Sequence, residues 1–386
     1  MTVAEILANE ELRRHEFPIT RQKVFLAHAA VCPLPRRVSA AMNDHAMRAT
    51  LDDQEETIPA GQIRRARELG ARLLNAQPEE IAFVGPTSLA LSYVAAGLPW
   101  RKGDNVLIYF DDYPSNVYPW MALAERGVEV RLLNTRQLGR IRTIDVTGQV
   151  DEQTRLVALA SNHFVAGWRL ELDAIGRHLR QRNILFCVDG IQTVGAFPTD
   201  VANIDFLAAD AHKWLLGPCG AGIFYVRKEV QQNLRPIVHG WHNVRCPGFV
   251  AQEQLTYLTD ARRYEAGSAN LAGLAGLTAA MELILEVGVE NIAAELLRKR
   301  ALLLPVLRKQ GWDVLQADAP APNASAILSL YKAGADMAAI HRKLMESRIH
   351  ASLRVDRQGR QYVRLSPHFY NTDAELHRLL EVLSGV

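Results

Sequence analysis

The stretch Phe206-Leu-Ala-Ala-Asp-Ala-His-Lys-Trp214 places four apolar residues directly before a carboxylate, an imidazole and an amine. A second stretch, Ile184-Leu-Phe-Cys-Val-Asp-Gly190, has the same form, because its apolar run ends at Asp189. Short apolar runs separated by helical segments are typical of buried strands in a mostly parallel sheet that is covered on both faces. Such sheets bind ligands beyond the carboxyl ends of their strands, where Asp189 and Lys213 would lie.

The same alternation extends from about residue 60 to residue 226 and predicts an α/β fold with a mostly parallel seven-stranded sheet. The segments between the runs have helical periodicity, as from Leu172 to Arg182, where apolar positions recur on one face. The predicted strands are Ile81–Val84, Asn105–Phe110, Val128–Leu133, Arg155–Ala160, Ile184–Val188, Phe206–Ala209 and Ile223–Val226.

The pattern changes near residue 264, where longer helical segments replace the alternation. The predicted elements beyond this point are helices at about Leu271–Val287 and Glu290–Gln310, and strands at Ser325–Tyr331 and Gln361–Ser366. Thr372 opens a capping-box pattern that predicts a last helix. We therefore expect a small α+β C-terminal domain at 265–386, a large domain at 21–264, and an N-terminal segment, 1–20, packed near the small domain.

Composition limits the possible partners. The 386 residues include 44 Lys and Arg and 42 Asp and Glu, so no strongly basic surface is expected for nucleic acid. No stretch reaches the roughly 18 uninterrupted apolar residues of a membrane helix, and the acidic N-terminal residues do not resemble a secretory signal. The sequence predicts a cytoplasmic, enzyme-sized protein that binds neither nucleic acid nor a membrane.

Three strand ends carry groups that together suit pyridoxal 5′-phosphate (PLP), which needs an amine, an anion beside its pyridine nitrogen and donors for its phosphate. Lys213 supplies the amine, and Asp189 supplies an anion that keeps the pyridine nitrogen protonated. The third strand runs into Gly85-Pro-Thr-Ser88, where a predicted helix offers free N–H groups to a phosphate. Each group has an ordinary alternative (a surface lysine, a turn, a helix cap), so the prediction depends on all three.

Two other patterns suggest a metal site and a nucleotide-binding loop, and their sequence context argues against both. His239 and His242, with Cys246 nearby, lie in a predicted loop and lack a full ligand set, so no metal site is predicted. The glycine-rich segment Gly217–Gly222 leads into a strand instead of a helix, which argues against a nucleotide-binding loop.

Three segments of the sequence resemble the class V aminotransferases. This group of PLP enzymes of fold type I includes cysteine desulfurases, selenocysteine lyases, isopenicillin N epimerase and kynureninase. The segments are Val188-Asp-Gly-Ile-Gln-Thr-Val194, Ala209-Asp-Ala-His-Lys-Trp-Leu-Leu-Gly-Pro218 and Arg263-Tyr-Glu-Ala-Gly-Ser-Ala-Asn270. The resemblance covers nearly the whole chain. It implies fold type I, PLP as cofactor, an amino-acid substrate and a homodimer with shared active sites.

The resemblance implies roles for the residues around the cofactor ring. Lys213 would carry the cofactor covalently and, when free, act as general base at the substrate Cα. Asp189 would contact the pyridine nitrogen, and Gln192 would reach the phenolic oxygen. Tyr113 occupies a position at which relatives stack a His or Phe on the ring.

The resemblance also implies a phosphate-binding set. His212, Thr87 and Ser88 would bind the phosphate, and Ser268 matches a position that reaches the phosphate of the other subunit. Asp210 stands near the phosphate where desulfurases carry a hydroxyl residue, and an ionised Asp facing a phosphate would repel it. We therefore expect the Asp210 carboxylate to point toward His212 or a backbone N–H.

On the substrate side, Arg364 corresponds to the arginine that binds the substrate carboxylate, a role suited to a guanidinium fork. The alternative is a strand arginine paired within the protein. Arg354 is a second candidate anion contact, and His28 is a candidate substrate-binding residue. The residues expected to shape the side-chain pocket are His28, His163, Phe164, Trp241 and His242.

Cysteine desulfurases take sulfur from the substrate on a loop cysteine. The corresponding segment here, Ile349-His-Ala-Ser-Leu-Arg-Val-Asp-Arg357, has none, and no cysteine follows Cys246. The sequence therefore favours a β-eliminating lyase of the C–S type without persulfide chemistry. An aminotransferase or an amino-acid epimerase would use the same residues and stays open. A regulator that binds PLP without turnover is a remote alternative.

Overall fold

The computed structural model describes residues 1–386 and contains sheets of seven, four and two strands. The strands are β1 Val24–Phe25, β2 Ile81–Val84, β3 Asn105–Ile108, β4 Glu129–Leu132, β5 Thr154–Ala160, β6 Leu185–Asp189, β7 Phe206–Asp210, β8 Gly222–Val226, β9 Asp313–Val314, β10 Leu328–Tyr331, β11 Ile349–His350, β12 Ser352–Val355 and β13 Gln361–Leu365. The α-helices are α1 Val3–Ala8, α2 Glu10–Glu16, α3 Arg36–Arg48, α4 Gln62–Leu74, α5 Thr87–Gly97, α6 Tyr118–Met121, α7 Thr143–Thr147, α8 Leu172–Gln181, α9 Leu271–Val287, α10 Val289–Lys309, α11 Met337–Glu346 and α12 Asp373–Ser384.

The large sheet has the strand order β2-β8-β7-β6-β5-β3-β4. Every neighbouring pair is parallel except the two that involve β8, which runs antiparallel to both β2 and β7. All seven predicted strands are present, each ending within two residues of its predicted bounds. The predicted α/β fold with a mostly parallel seven-stranded sheet is confirmed.

Alternation along the central strands divides the large sheet between two hydrophobic cores. In β6, Phe186 and Val188 belong to the core that also contains residues of α4, α8 and α9. Cys187, between them, belongs to the core that contains residues of α5 and α6. Successive side chains of a strand point to opposite faces, so a run that is apolar at every position fits a sheet buried on both sides.

The second sheet is antiparallel, with the order β12-β13-β10-β9, and α10, α11 and α12 pack residues against it. The N-terminal residues lie against this part of the chain. Arg13 pairs with Glu375 at 2.8 Å, and the ring of Phe17 stacks on that of Tyr370 at 4.0 Å. The domain limits at residues 20 and 264 stay a prediction.

The sequence did not predict β1, β9, β11 and β12. The first three have two residues, which is too short to show a period, and β12 has only four. The parallel pairing of β1 with β11 joins segments that are more than 300 residues apart. By length and composition, no single helix could cross a membrane. Only α9 and α10 taken together pass that test, and they meet at an angle of 74°.

Candidate active site

The carboxyl ends of β5, β6 and β7 meet at one edge of the large sheet. Asp189 ends β6, where it pairs with Ala160 at the end of β5, and Asp210 ends the adjacent β7. Lys213 follows three residues later. All three charged side chains are buried, with exposures of 2%, 4% and 7% for Asp189, Asp210 and Lys213. The sheet therefore brings the predicted amine and the predicted anion to the same buried edge.

The opposite charges of Asp189 and Lys213 moderate the effect of their burial. Burial raises the pKa of Asp189 to about 6, a net shift that the charge of Lys213 reduces and the charge of Asp112 increases. Burial lowers the pKa of Lys213 to about 8, against the attraction of Asp189 and with the help of two nearby arginines. The amine therefore loses its proton much more readily than a lysine in water.

An aromatic wall stands beside this amine. Lys213 Nζ lies 5.2 Å from the centroid of the Tyr113 ring, which is 46% exposed. The ring of Phe164 meets that of Tyr113 edge to face, with 5.4 Å between the centroids. Tyr113 and Phe164 therefore form an aromatic wall beside Lys213, and the stacking of Tyr113 on a cofactor ring stays a prediction.

The N-terminus of α5 faces the end of β7. The helix begins at Thr87 with no side-chain cap, and the Asp210 backbone N–H donates to Thr87 Oγ1 at 3.0 Å. This bond ties the helix start, with Thr87 and Ser88, to the strand that leads to Lys213. N–H groups at the first positions of a helix have no intrahelical partner, so this end suits a phosphate.

The Asp210 carboxylate accepts four hydrogen bonds from groups of the protein. It accepts hydrogen bonds from His212 Nδ1 at 2.9 Å and from the backbone N–H groups of Ala211, Gly220 and Ala221 at 2.8, 3.1 and 3.2 Å. A carboxylate of this kind only accepts, so the bond places a proton on His212 Nδ1. For His212 to donate to a phosphate through Nε2 as well, its ring must be the doubly protonated imidazolium.

Two arginines lie near Lys213 on the small sheet. Arg364 of β13 is 1% exposed, and donates from Nη1 to the Phe164 carbonyl at 2.7 Å and from Nη2 to Ser352 Oγ at 3.4 Å. Its Nε has no partner, and neither has Nε of Arg354 in β12. Burial lowers the pKa of both, and no carboxylate forms an ion pair with either. An anionic ligand would supply the missing charge.

One predicted substrate-binding residue needs correction. His28 is 0% exposed, with Nδ1 at 2.9 Å from the Ser366 carbonyl and Nε2 at 2.7 Å from the Tyr370 hydroxyl. Burial lowers its pKa to about 3, so the ring is neutral. His28 is therefore a hydrogen-bonded core residue, because no face of its ring is left for a substrate.

Three of the predicted residues lie at a different cavity. Ser268, Trp241 and His242 line a cavity of about 560 Å³ together with Glu55, whose Oε1 accepts a hydrogen bond from Ser268 Oγ at 3.0 Å. Lys213 does not line this cavity. Ser268 is exposed within the single chain, and its contact with the phosphate of a partner subunit stays a prediction, as does the homodimer.

Sequence reasoning missed Asp112. Its buried carboxylate accepts from Tyr113 N at 2.7 Å, Asn116 Nδ2 at 3.1 Å and Ala160 N at 3.1 Å, and burial raises its pKa to about 6. It therefore connects the aromatic wall to the strand beside Asp189. A signal was available, because Asp112 follows the apolar run of β3 much as Asp189 follows that of β6.

These residues meet the requirements of PLP. The Asp189 carboxylate has one hydrogen bond from protein, the Ile191 N–H to Oδ1 at 3.0 Å, so its other oxygen can face a protonated pyridine nitrogen. Lys213 supplies an amine of lowered pKa, and α5 supplies free N–H groups. The donor and charge pattern therefore fits the cofactor that the sequence predicted.

Comparison with known proteins agrees with this fit. A family model described as aminotransferase class-V matches residues 24–379. A probable cysteine desulfurase of Methanothermobacter thermautotrophicus is 32% identical over 293 residues, which cover 74% of this chain and 72% of that protein. The apo cysteine desulfurase of Thermococcus onnurineus NA1 superposes with a TM-score of 0.87 at 22% identity and 96% coverage of both chains. The cystine C–S lyase C-DES, solved with its product cysteine persulfide, has a TM-score of 0.86 at 22% identity, covering 95% of this chain and 99% of that one.

Proposed function

The chain belongs to the class-V aminotransferase family and is a PLP-dependent enzyme, and on this premise we propose that it is a β-eliminating lyase. It would cleave the C–S bond of a sulfur-substituted amino acid without forming a persulfide on the enzyme. The observation that carries the proposal is the composition of the segment at 349–364. This segment brings Arg354 and Arg364 close enough to Lys213 for their charges to lower its pKa, and it contains no cysteine.

The chemistry of the cysteines elsewhere supports the same conclusion. Cys32 and Cys187 are buried, and burial raises the pKa of both thiols. Cys219 is exposed, but partial burial of its thiol and the charge of Asp210 raise its pKa. A thiol that takes sulfur from a substrate acts as the thiolate, which a raised pKa disfavours. None of these three cysteines is thus suited to persulfide formation.

The proposed mechanism starts with the substrate carboxylate. Arg364 and Arg354 would bind it and so direct the Cα–H bond toward Lys213. Lys213 Nζ, with a pKa of about 8, would take the proton from Cα, and Asp189 would hold a negative charge beside the pyridine nitrogen. Bound PLP supplies the sink for the electron pair left at Cα.

Bond cleavage completes the elimination. The pair formed at Cα moves to make a Cα–Cβ double bond, the C–S bond breaks, and sulfur leaves with its electrons as a thiolate. Lys213 can return its proton to that sulfur. The released enamine becomes an imine, and water cleaves its C=N bond to give ammonia and a 2-oxo acid. No oxidant or reductant is required. C-DES, a cystine C–S lyase of the same fold, supports the view that this fold can serve such a reaction.

Product analysis with a panel of amino acids tests the proposal. We expect cysteine, cystine or an S-substituted cysteine to give ammonia and a 2-oxo acid while the PLP spectrum returns unchanged, and Lys213→Ala to abolish this. Cys219→Ser and Cys246→Ser should retain turnover. Conversion of PLP to pyridoxamine phosphate would mean transamination instead. Exchange of the α-hydrogen with solvent but no net product would mean epimerisation. A persulfide found on the protein during turnover would overturn the proposal.

A further inference from the structure

The Gln192 side chain lies between two protein groups of opposite hydrogen-bonding character. Trp214 Nε1 donates to Gln192 Oε1 at 2.8 Å, and Gln192 Nε2 donates to the Ala29 carbonyl at 3.1 Å. An indole N–H can only donate and a backbone carbonyl can only accept. The two partners therefore determine which end of the amide is oxygen and which is nitrogen.

Trp214 is itself held in place from the C-terminal part of the chain. It is 1% exposed, and its carbonyl accepts a hydrogen bond from His368 Nε2 at 3.1 Å. The Phe369 backbone N–H donates to His368 Nδ1 at 2.9 Å, so Nδ1 is the acceptor and Nε2 carries the proton. The Trp214 backbone is therefore bonded to the C-terminal part of the chain, and both its indole and the Gln192 side chain, which is 2% exposed, are enclosed by protein.

We propose that Trp214 is a positioning residue whose N–H makes Gln192 present a hydrogen-bond donor to the phenolic oxygen of PLP. One proton of Gln192 Nε2 is bonded to Ala29, and the second is free for the cofactor. With the amide reversed, its oxygen would face the Ala29 carbonyl and its NH₂ would face the indole N–H, so both buried pairs would be mismatched. The inference rests on the proposed cofactor contact of Gln192 and not on the elimination reaction.

The consequence is a preference for the ionised phenolic oxygen. A hydrogen bond to the charged form of a group stabilises that form, so the donor lowers the pKa at which the bound cofactor loses its proton. Without Trp214, only the Ala29 carbonyl still favours the present orientation of the amide, so the donor is held less firmly and part of this stabilisation is lost. Complete loss of the donor would raise the titration midpoint of the bound cofactor by about one pH unit, the loss of roughly one charge-assisted hydrogen bond.

A double-mutant cycle on the PLP-loaded protein tests this in the absence of substrate. The visible absorption band is titrated with pH for the wild type, Trp214→Phe, Gln192→Met and the double variant. Gln192→Met should raise the midpoint by about one unit and Trp214→Phe by part of that shift, and the double variant should match Gln192→Met, because Trp214 acts through Gln192. Trp168→Phe is the matched control, since it removes a similar buried bond, from Trp168 Nε1 to the Ile141 carbonyl at 2.8 Å, without touching Gln192.

An unchanged midpoint in Trp214→Phe, or shifts that add in the double variant, would overturn the proposal. Gln192→Glu gives an independent reading if Trp214→Phe does not fold, because a glutamate can accept from the indole but has no proton to donate when ionised. It should raise the midpoint at least as far as Gln192→Met, and an unshifted midpoint would exclude a donor at Gln192. Because no substrate is present, the titration result does not depend on whether the enzyme catalyses elimination.

Discussion

The two sides of the active site differ in how their buried charges are satisfied. On the large sheet, the Asp210 carboxylate has four hydrogen-bond donors, one of them His212. On the small sheet, the Arg364 guanidinium donates to a carbonyl and a hydroxyl, and its Nε has no partner. Arg354 beside it also lacks a carboxylate. The buried carboxylate of the large sheet has all its partners within the protein, whereas the arginines of the small sheet carry positive charge without a counter-charge.

This difference distinguishes a charge that stabilises the fold from a charge that can bind a ligand. A buried charge with a full set of partners holds the backbone around it and gives stability to the fold. A buried charge without a counter-ion lowers the stability of the free protein, and an anionic ligand recovers that free energy when it binds. From this asymmetry we propose that Asp210 supports His212 and that the two arginines bind the substrate.

Replacement of Arg364 tests this proposal, and its expected effect on kcat/KM is the largest of those described. We expect Arg364→Met to lower kcat/KM by about 10²–10³-fold, because the substrate carboxylate loses a charge-assisted contact. The free energy of unfolding of the free protein should stay the same or rise, because an unpaired buried charge is removed.

Arg300→Met is the control for that variant. Arg300 is also buried without a carboxylate partner, but it donates to the carbonyls of Gln316, Ser325 and Ile327. Its loss would leave these acceptors unpaired, so it should reduce stability and leave KM unchanged. Steady-state kinetics and urea unfolding measure the two quantities. Clear destabilisation by Arg364→Met with normal KM would reverse the assignment.

Removal of Asp210 should mainly reduce stability. Asp210→Ala leaves His212 Nδ1 and three backbone N–H groups without an acceptor, so we expect a loss of about 2–4 kcal/mol in the free energy of unfolding. PLP should also bind more weakly, because His212 is no longer oriented. Asp210→Asn keeps one acceptor oxygen and should lie between the wild type and Asp210→Ala. Urea unfolding of the three proteins gives the order, and equal stability would contradict it.

The pH dependence of the PLP-free protein reports on Asp189. Burial raises its pKa from 3.8 to about 6, so the folded state binds more protons than the unfolded state between about pH 4 and 6. Stability should therefore fall as the pH rises through this window. Asp189→Asn should reduce that fall, by on the order of 1–3 kcal/mol. Unfolding measured from pH 4 to pH 7 tests the slope, and an identical slope in the variant would exclude Asp189 as its source.

The smallest effect is expected at an exposed link between the two sides. Arg357 Nε lies 2.6 Å from Asp111 Oδ1, and the Arg357 side chain is 55% exposed. Arg357→Ala should lower the free energy of unfolding by at most about 1 kcal/mol, because solvent screens such a pair. High salt should diminish the difference. A loss well above 1 kcal/mol at high salt would indicate that the link holds the small sheet in place.

Local signals were sufficient for much of the fold and for the core of the site. β2 and α9 have their predicted bounds, because a short apolar run and a long helical stripe can be recognised without tertiary contacts. Asp189 and Lys213 were found because each follows such a run. Asp112 could have been found by the same rule. His28 could not have been interpreted correctly, because its partners Ser366 and Tyr370 lie 338 and 342 residues away.

The sequence by itself determined the sheet and the cofactor, and it predicted Lys213 as the lysine that would carry that cofactor, since these depend on patterns within short segments. Only the tertiary structure decided which buried groups have partners. The Arg364 guanidinium meets the Phe164 carbonyl across 200 residues of chain, and His368 meets the Trp214 carbonyl across 154. Hydrogen bonding and desolvation depend on atoms within a few ångströms in space, and the linear sequence does not contain those distances.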